Sequence, residues 1–263
     1  MQIGFVVRAT VVALAMASAA ALTRGDARAV GRNPRLSALP PVMFWAWHRP
    51  EDLRGLDPRR AGVAYLAATW ILTADGPQIE RRRQPLRVDP GTPLLAVVRI
   101  ESRATPLAPL AFDATEIHDM ARSLSEIVGQ SSAMGLQIDF DAKASEHVFY
   151  RALLAETRAA LGDRLLSMTA LVSWCLGDEP LLTAPIDEAV PMLFQLGVPN
   201  ASHLKEVGAA GNLRARACAH AVGVSLDERT PALEGGRRLY IFSPKSWTPE
   251  SATRALAEVP KWR

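Results

Sequence analysis

Asp139 and Asp141 stand two residues apart near the end of the stretch GLQIDFDA, Gly135 to Ala142. Leu136, Ile138 and Phe140 alternate with Gln137, Asp139 and Asp141, the period of a strand with one apolar face. Alternate strand residues lie ~6.7 Å apart along the chain direction and share a face. Two carboxyls held so close do not both ionise easily, and the proton that one retains is what general acid catalysis uses. A proton donor with a second carboxylate is the equipment for breaking a glycosidic bond. Glu228, beside Asp227 at the end of GVSLDE, and Glu101, at the end of VVRIE, are further candidates. Trp45, Trp47, Trp174 and Trp247 belong to the same set, because sugar rings present apolar faces that pack on indoles. Each acid also has a plain structural use. Arg99 could pair with Asp139, Arg99 or Arg103 with Glu101, and a solvated strand end accounts equally for Asp227 and Glu228.

These residues need elements to bring them together. Eight short apolar runs recur, at 42–48, 62–68, 94–101, 135–142, 165–174, 188–194, 220–228 and 238–243. Each has strand length and strand composition. Helical patterns lie between several of them. Residues 113–133 open on Asp113 with Glu116 three positions on, a capping box, and bring Ile117, Met120, Leu124 and Ile127 to one face. Residues 145–161, 200–217 and 248–259 carry similar patterns, the last with Thr248 and Pro249 at its start. Strands alternating with helices predict a parallel sheet, and eight of them predict a single closed (β/α)8 TIM-like barrel over residues 30–263. A doubly wound open sheet is the second choice. Residues 69–93 have no helical face, and Asp75-Gly76 predicts a β-hairpin arm in place of the second helix.

In such a barrel the functional end is the C-terminal end of the strands. Trp45, Trp47 and His48 fall there on strand one, Glu101 on strand three, and Asp139 and Asp141 on strand four. Trp174, Asp227, Glu228 and Trp247 follow strands five, seven and eight, with Trp47 and Trp247 expected to be exposed. Strand parity turns Leu136, Ile138 and Phe140 to the helices and Gln137, Asp139 and Asp141 into the barrel.

The chain has 263 residues, of which 49% are hydrophobic, and a formal charge of +3. That size allows one large domain, and the charge is too small and dispersed for a nucleic-acid surface. Arg81-Arg82-Arg83 reads as a solvated loop or hairpin face. Arg8, the apolar run Val11 to Leu22 and the Ala-x-Ala sites at 17–19 and 27–29 read as a signal peptide over residues 1–29. The mature protein is therefore expected in the periplasm or outside the cell, as a monomer without a membrane segment. Cys175 and Cys218 are the two cysteines. Placed at opposite ends of a parallel sheet, they would lie too far apart for a bridge, so two buried thiols are expected.

FWAWHRPEDLRGL, VAYLA, VVRIES, GLQIDFDA, FYRALL, MTALVSWC, DEAVPMLFQLG and GVSLDE together resemble an uncharacterised bacterial family, domain of unknown function three-one-four-two, whose members look like glycoside-hydrolase-type barrels. A more distant resemblance is to the chitinases of family eighteen, whose fourth strand carries D-G-x-D-x-D-x-E. Gly135 matches the Gly, Asp139 the third Asp and Asp141 the acidic Glu, while Met134 and Gln137 replace the first two Asp residues. The sixth-strand motif M-x-Y-D is met by Met192, Leu193, Phe194 and Gln195, so the phenol that would steady an acetamido group is missing. The other common barrel arrangement would pair Asp141 with Glu228.

The first expectation is thus a glycoside hydrolase with Asp139, Asp141 and Glu228 as catalytic acids, acting on a carbohydrate or cell-envelope polymer. Trp45, Trp47, Glu101, Gln137, Trp174, Gln195, Asp227 and Trp247 are its expected substrate contacts. The second is a sugar-binding barrel that kept the cleft and lost the chemistry. A metal hydrolase using Asp139, Asp141 and His48 comes third, since no His-x-His or His-Glu-x-x-His spacing supports it, and no metal or cofactor is expected. The export expectation is checked by N-terminal sequencing of protein from the native envelope, which should begin between residues 18 and 30.

Overall fold

The computed structural model describes residues 33–73, 76–105, 109–177, 179–194, 213, 215–228 and 236–262. The chain divides into two units, Met1–Arg32 and Asn33–Arg263. The expected signal segment, Gln195 and most of the expected 200–217 helix lie outside the described residues.

The strands in chain order are β1 (Val42–Ala46), β2 (Glu51–Asp52), β3 (Ala61–Thr73), β4 (Gly76–Arg81), β5 (Leu86–Arg87) and β6 (Leu94–Ser102). They continue as β7 (Gly135–Asp139), β8 (Leu165–Leu171), β9 (Glu188–Met192), β10 (Ala221–Ser225) and β11 (Arg238–Phe242). Eight of them run parallel in the ring β1-β3-β6-β7-β8-β9-β10-β11, and β11 pairs back on β1. The sheet is therefore a closed (β/α)8-type barrel, as the apolar runs predicted, and the eight strands start within one residue of the expected positions.

Closure creates two cores. Met43, Trp45, Leu95, Val97, Val190 and Tyr240 fill the barrel interior. Phe44, Val98, Leu136, Ile138 and Met168 face outward and meet the helices. Helix α2 (Ala114–Gly129) buries Ile117, Met120, Leu124 and Ile127 there, and helix α3 (His147–Leu161) buries Leu153, Leu154 and Leu161. The α2 start has both halves of the capping box. Asp113 accepts from the Thr115 and Glu116 backbone N–H groups at 2.8 and 2.9 Å, and Glu116 accepts from the Asp113 N–H at 2.8 Å.

A hairpin stands where the second helix would be. β4 pairs antiparallel with β3, and Gly76 takes φ 103°, a left-handed conformation that suits glycine at the turn. The β3–β6 register shifts between Leu66 and Ala68. One extra residue reverses the parity of the strand beyond it. Ala64 and Leu66 thus face the interior, while Ala68, Trp70 and Leu72 face the outer layer.

The barrel floor is closed by the short helix α1 (Pro34–Ser37), whose Leu36 joins the interior core together with Leu39. Arg238 ties this floor together. It donates to the Leu36 and Pro40 carbonyls at 2.6 and 2.9 Å and to Glu188 Oε2 at 2.7 Å. Glu188 is fully buried, and its other oxygen accepts from the Tyr240 hydroxyl at 2.6 Å.

Two expectations need correction. Arg82 is no solvated hairpin residue, because its guanidinium donates to the Trp47 and Arg49 carbonyls and fixes the loop after β1. Cys175 and Cys218 form a disulfide, with Cα atoms 5.9 Å apart. The apolar run that ends at Cys175 leaves the sheet at Leu171. Val172–Leu176 is a helical turn, α4, that carries Cys175 into the outer core, where it meets Cys218. Linking residues with a sequence separation of 43 restricts the unfolded chain by an amount worth ~4 kcal/mol. Cys175→Ser/Cys218→Ser should unfold at lower urea than the wild type, and reductant should shift the wild-type midpoint while leaving the double variant unmoved.

Candidate active site

A cleft of about 290 Å³ opens at the C-terminal end of the barrel strands, with Asp139 and Asp141 both on its wall. β7 places them. Gly135 starts this strand against β8, and a Cβ there would lie 2.2 Å from the Leu165 carbonyl oxygen, so only glycine allows the approach. Leu136 and Ile138 then turn outward, and Phe140 packs on Tyr150 at 5.1 Å. Gln137 and Asp139 turn inward, as alternation predicts.

Asp139 is 6% exposed. It accepts from Thr169 Oγ1 at 2.7 Å and from Arg99 Nη1 at 3.4 Å. Burial pushes its pKa above the ordinary carboxyl value. Arg99 and the Thr169 hydroxyl oppose that rise, and the charges of Asp141 and Glu101 add to it. Asp141 sits just beyond the strand, exposed at the rim. Partial loss of water raises its pKa as well, against the pull of Arg99. The two carboxyls therefore hold protons more tightly than free aspartates, and in both the largest cause is burial.

Arg99 links the acids to the aromatic wall. It reaches Glu101 at 3.1 Å as well as Asp139, and its guanidinium lies 5.9 Å from the centre of the Trp47 ring. Trp47 is half-buried beside Phe242. Trp45 forms part of the cleft floor, 3% exposed, with its ring 5.2 Å from Tyr240 and 6.0 Å from Phe194. Its indole N–H donates to Gln137 Oε1 at 2.7 Å, and Gln137 Nε2 donates to Ser167 Oγ at 3.1 Å. A Cβ on Gly223 would lie 2.7 Å from the Trp45 ring, so a bare backbone is what admits the indole.

The expected site residues divide clearly. Asp139, Asp141, Trp45 and Trp47 come together in the cleft. Glu101 borders an adjoining cavity and is engaged by Arg99. Gln137 is fully buried one layer below, so it holds Trp45 rather than facing the cleft. Trp174 lies on α4, 7% exposed in the outer core against His147. Trp247, expected at the surface, is only 1% exposed. After β11 the chain turns onto the outside of β1, where Trp247 packs on Phe44 at 4.7 Å and donates to the Trp45 carbonyl at 2.8 Å. Asp227 and Glu228 lie exposed after β10 and do not line the cleft; Asp227 accepts from Ser225 Oγ. His48 bonds Thr69 Oγ1 at 3.1 Å. Among the described residues, no cluster of His, Cys, Asp or Glu could hold a metal ion.

The sequence reading missed Thr169, Ser173, Phe194 and Phe242 as cleft residues. Two of these had a signal. Gln137 pairs with Ser167, which sets Thr169 beside Asp139 two residues on. Phe242 follows Tyr240 on the inward face of β11, and its ring stacks on Phe194 at 5.5 Å with planes 3° apart.

No family model matches the chain, so the family suggested by its motifs is not confirmed. No curated protein matches it either. Among solved structures it is similar to Bacteroides thetaiotamicron EndoBT-3987, solved in complex with a Man9GlcNAc2Asn substrate. That match has 14% identity and a TM-score of 0.44, and covers 86% of this chain and 64% of that one. It is also similar to an apo endo-beta-N-acetylglucosaminidase from Cordyceps militaris, at 12% identity and a TM-score of 0.40, over 76% of this chain and 80% of that one. A third is a fungal endo-beta-N-acetylglucosaminidase of glycosyl hydrolase family 18, at 15% identity and a TM-score of 0.44, over 85% and 87%. The chain spans about two thirds of the length of the Bacteroides protein.

The raised pKa of Asp139 makes a stability prediction. The folded protein holds this proton more tightly than the unfolded chain, so stability is lost as pH rises from about 3.8 through the folded-state value. Asp139→Asn keeps the shape and removes that loss. The variant should be more stable than the wild type at pH 7, with the advantage fading below about pH 4. Thermal unfolding of both proteins across that range checks it.

Proposed function

We propose that this chain is an exported glycoside hydrolase whose barrel mouth cleaves a bond within a carbohydrate or cell-envelope polymer. The observation that carries this reading is a pair of carboxyls, Asp139 and Asp141, both raised above the ordinary carboxyl value by burial, on the wall of a cleft floored by Trp45 and flanked by Trp47. Indole faces suit the apolar faces of sugar rings, and the acids suit the bond between rings.

Asp141, at the rim, is the proton donor. Its proton goes to the leaving glycosidic oxygen as the C–O bond breaks and positive charge grows on the sugar ring. Asp139, beside Arg99 and Thr169, supplies the negative charge that stabilises it. Water adds to the anomeric carbon, and its proton returns to Asp141, which restores the enzyme. The disulfide Cys175–Cys218 supports an oxidising compartment, in keeping with the export signal read in residues 1–29.

One observation favours a second reading, a sugar-binding barrel without turnover. Among the described residues, Asp139 and Asp141 are the only carboxyls on the cleft wall, and Asp139 is already engaged by two partners. Incubating the mature protein with a panel of exopolysaccharides and peptidoglycan, followed by mass spectrometry, separates the two. With a substrate in hand, Asp141→Asn should lower turnover by ~10²–10⁴-fold, the range of general acid–base help, while leaving the unfolding midpoint no lower than that of the wild type. An unfolded variant, or one of unchanged specific activity, would make the acids structural.

A further inference from the structure

Glu146 is an acid of this region that the proposed chemistry leaves unused. It ends the 3-10 turn Ala144–Glu146 before α3 and is 3% exposed. Its Oε2 accepts from the Lys143 backbone N–H at 2.8 Å, and its Oε1 has no hydrogen-bond partner among the described residues. A buried carboxyl oxygen without a protein partner is costly and rare, so a hydrogen-bond donor brought there by a bound molecule would be strongly favoured.

The surroundings indicate which group. Glu146 lines a cavity of about 140 Å³ that adjoins the cleft and shares Arg99, Asp139 and Asp141 with it. Glu101 and Lys143 complete the charged lining among the described residues, so there four carboxyls face two cations. Both cations are already engaged. Lys143 Nζ donates to the Ala104 carbonyl at 3.0 Å, and Arg99 pairs with Glu101 and Asp139. The unmet demand is for a cation with N–H donors. No set of ligands for a metal ion exists among the described residues. A primary ammonium is compact and carries three donors. The cavity has about half the volume of the cleft, which is room for a substituent rather than for a chain of rings.

We infer that this side cavity takes the ammonium group of an amino sugar, with Glu146 as its carboxyl partner. The inference rests on the glycan reading above and narrows it to polymers that carry unacetylated amino groups.

Calorimetric titration of the mature protein with a glucosamine oligomer and with its fully N-acetylated counterpart tests this. The free-amine oligomer should bind at least tenfold more tightly. E146Q, which keeps the shape, should bring its affinity down to that of the acetylated oligomer and leave the latter unchanged. E156Q, which alters an exposed acid on α3, should change neither. Equal affinity of the wild type for the two oligomers, or equal losses in E146Q and E156Q, would overturn the ammonium site and leave the glycan reading standing. Binding of neither oligomer would overturn the glycan reading together with the inference. If E146Q fails to fold, equal affinity of the wild type for the two oligomers still overturns the inference, and E146D, whose shorter side chain withdraws the carboxyl, should show the same selective loss of free-amine affinity.

Discussion

A single buried charge organises the interior of this barrel. Glu188 has no contact with solvent, and its two oxygens are met by Arg238 and Tyr240, with Ser167 donating more weakly at 3.4 Å. Breaking such a pair from one side leaves an uncompensated ion, at a cost of about 3–5 kcal/mol. The bonds continue upward. Ser167 accepts from Gln137, and Gln137 accepts from Trp45. A hydrogen-bonded line thus runs from the floor plug to the base of the cleft. The indole orientation depends on a carboxylate at the other end of the barrel.

The cleft itself is built by what is left out as much as by what is present. Gly223 yields its side-chain space to the Trp45 ring, and Gly135 lets β7 approach β8 closely enough to hold Asp139 beside Thr169. The Leu66/Ala68 register shift lets a 13-residue strand serve the barrel at one end and the hairpin at the other. The loop after β1, which carries Trp47, is then locked from two sides. Arg82 holds its carbonyls, and buried Glu51 accepts from the Trp47 and Trp247 backbone N–H groups. The hairpin that replaces a helix is therefore also a support for the cleft wall.

Much of the barrel was legible because closure imposes a simple rule. Each strand buries both faces, so apolar runs and turns alternate all along the chain. The inward direction of Asp139 followed from parity, since Leu136 and Ile138 had to meet the helices. The tryptophans were less legible. An indole after a strand end serves a cleft or a core equally well, and only the path of the next turn decides. Trp47 precedes a loop that stays at the mouth, while Trp174 and Trp247 lie on segments that fold back over the outside. The same reversal brought Cys175 to Cys218. Short 3-10 and α turns have no periodicity to announce them. Gln137 was misread for another reason. Its inward direction was correct, but its depth depended on strand stagger, which one sequence does not display.

The hairpin has one more consequence. A closed barrel has no free edge, and among the described residues β4 returns one, since it ends the sheet beyond β3. Unpaired backbone at such an edge invites a strand from another molecule. The residues of β4 oppose that. Pro77 has no N–H to offer, and Glu80 and Arg81 are exposed charges that would have to be matched by any strand laid beside them. Ile79, 43% exposed, is the apolar exception in this stretch. The arm can thus brace the cleft without becoming a template for aggregation, and this protection resides in three side chains that have no part in the chemistry.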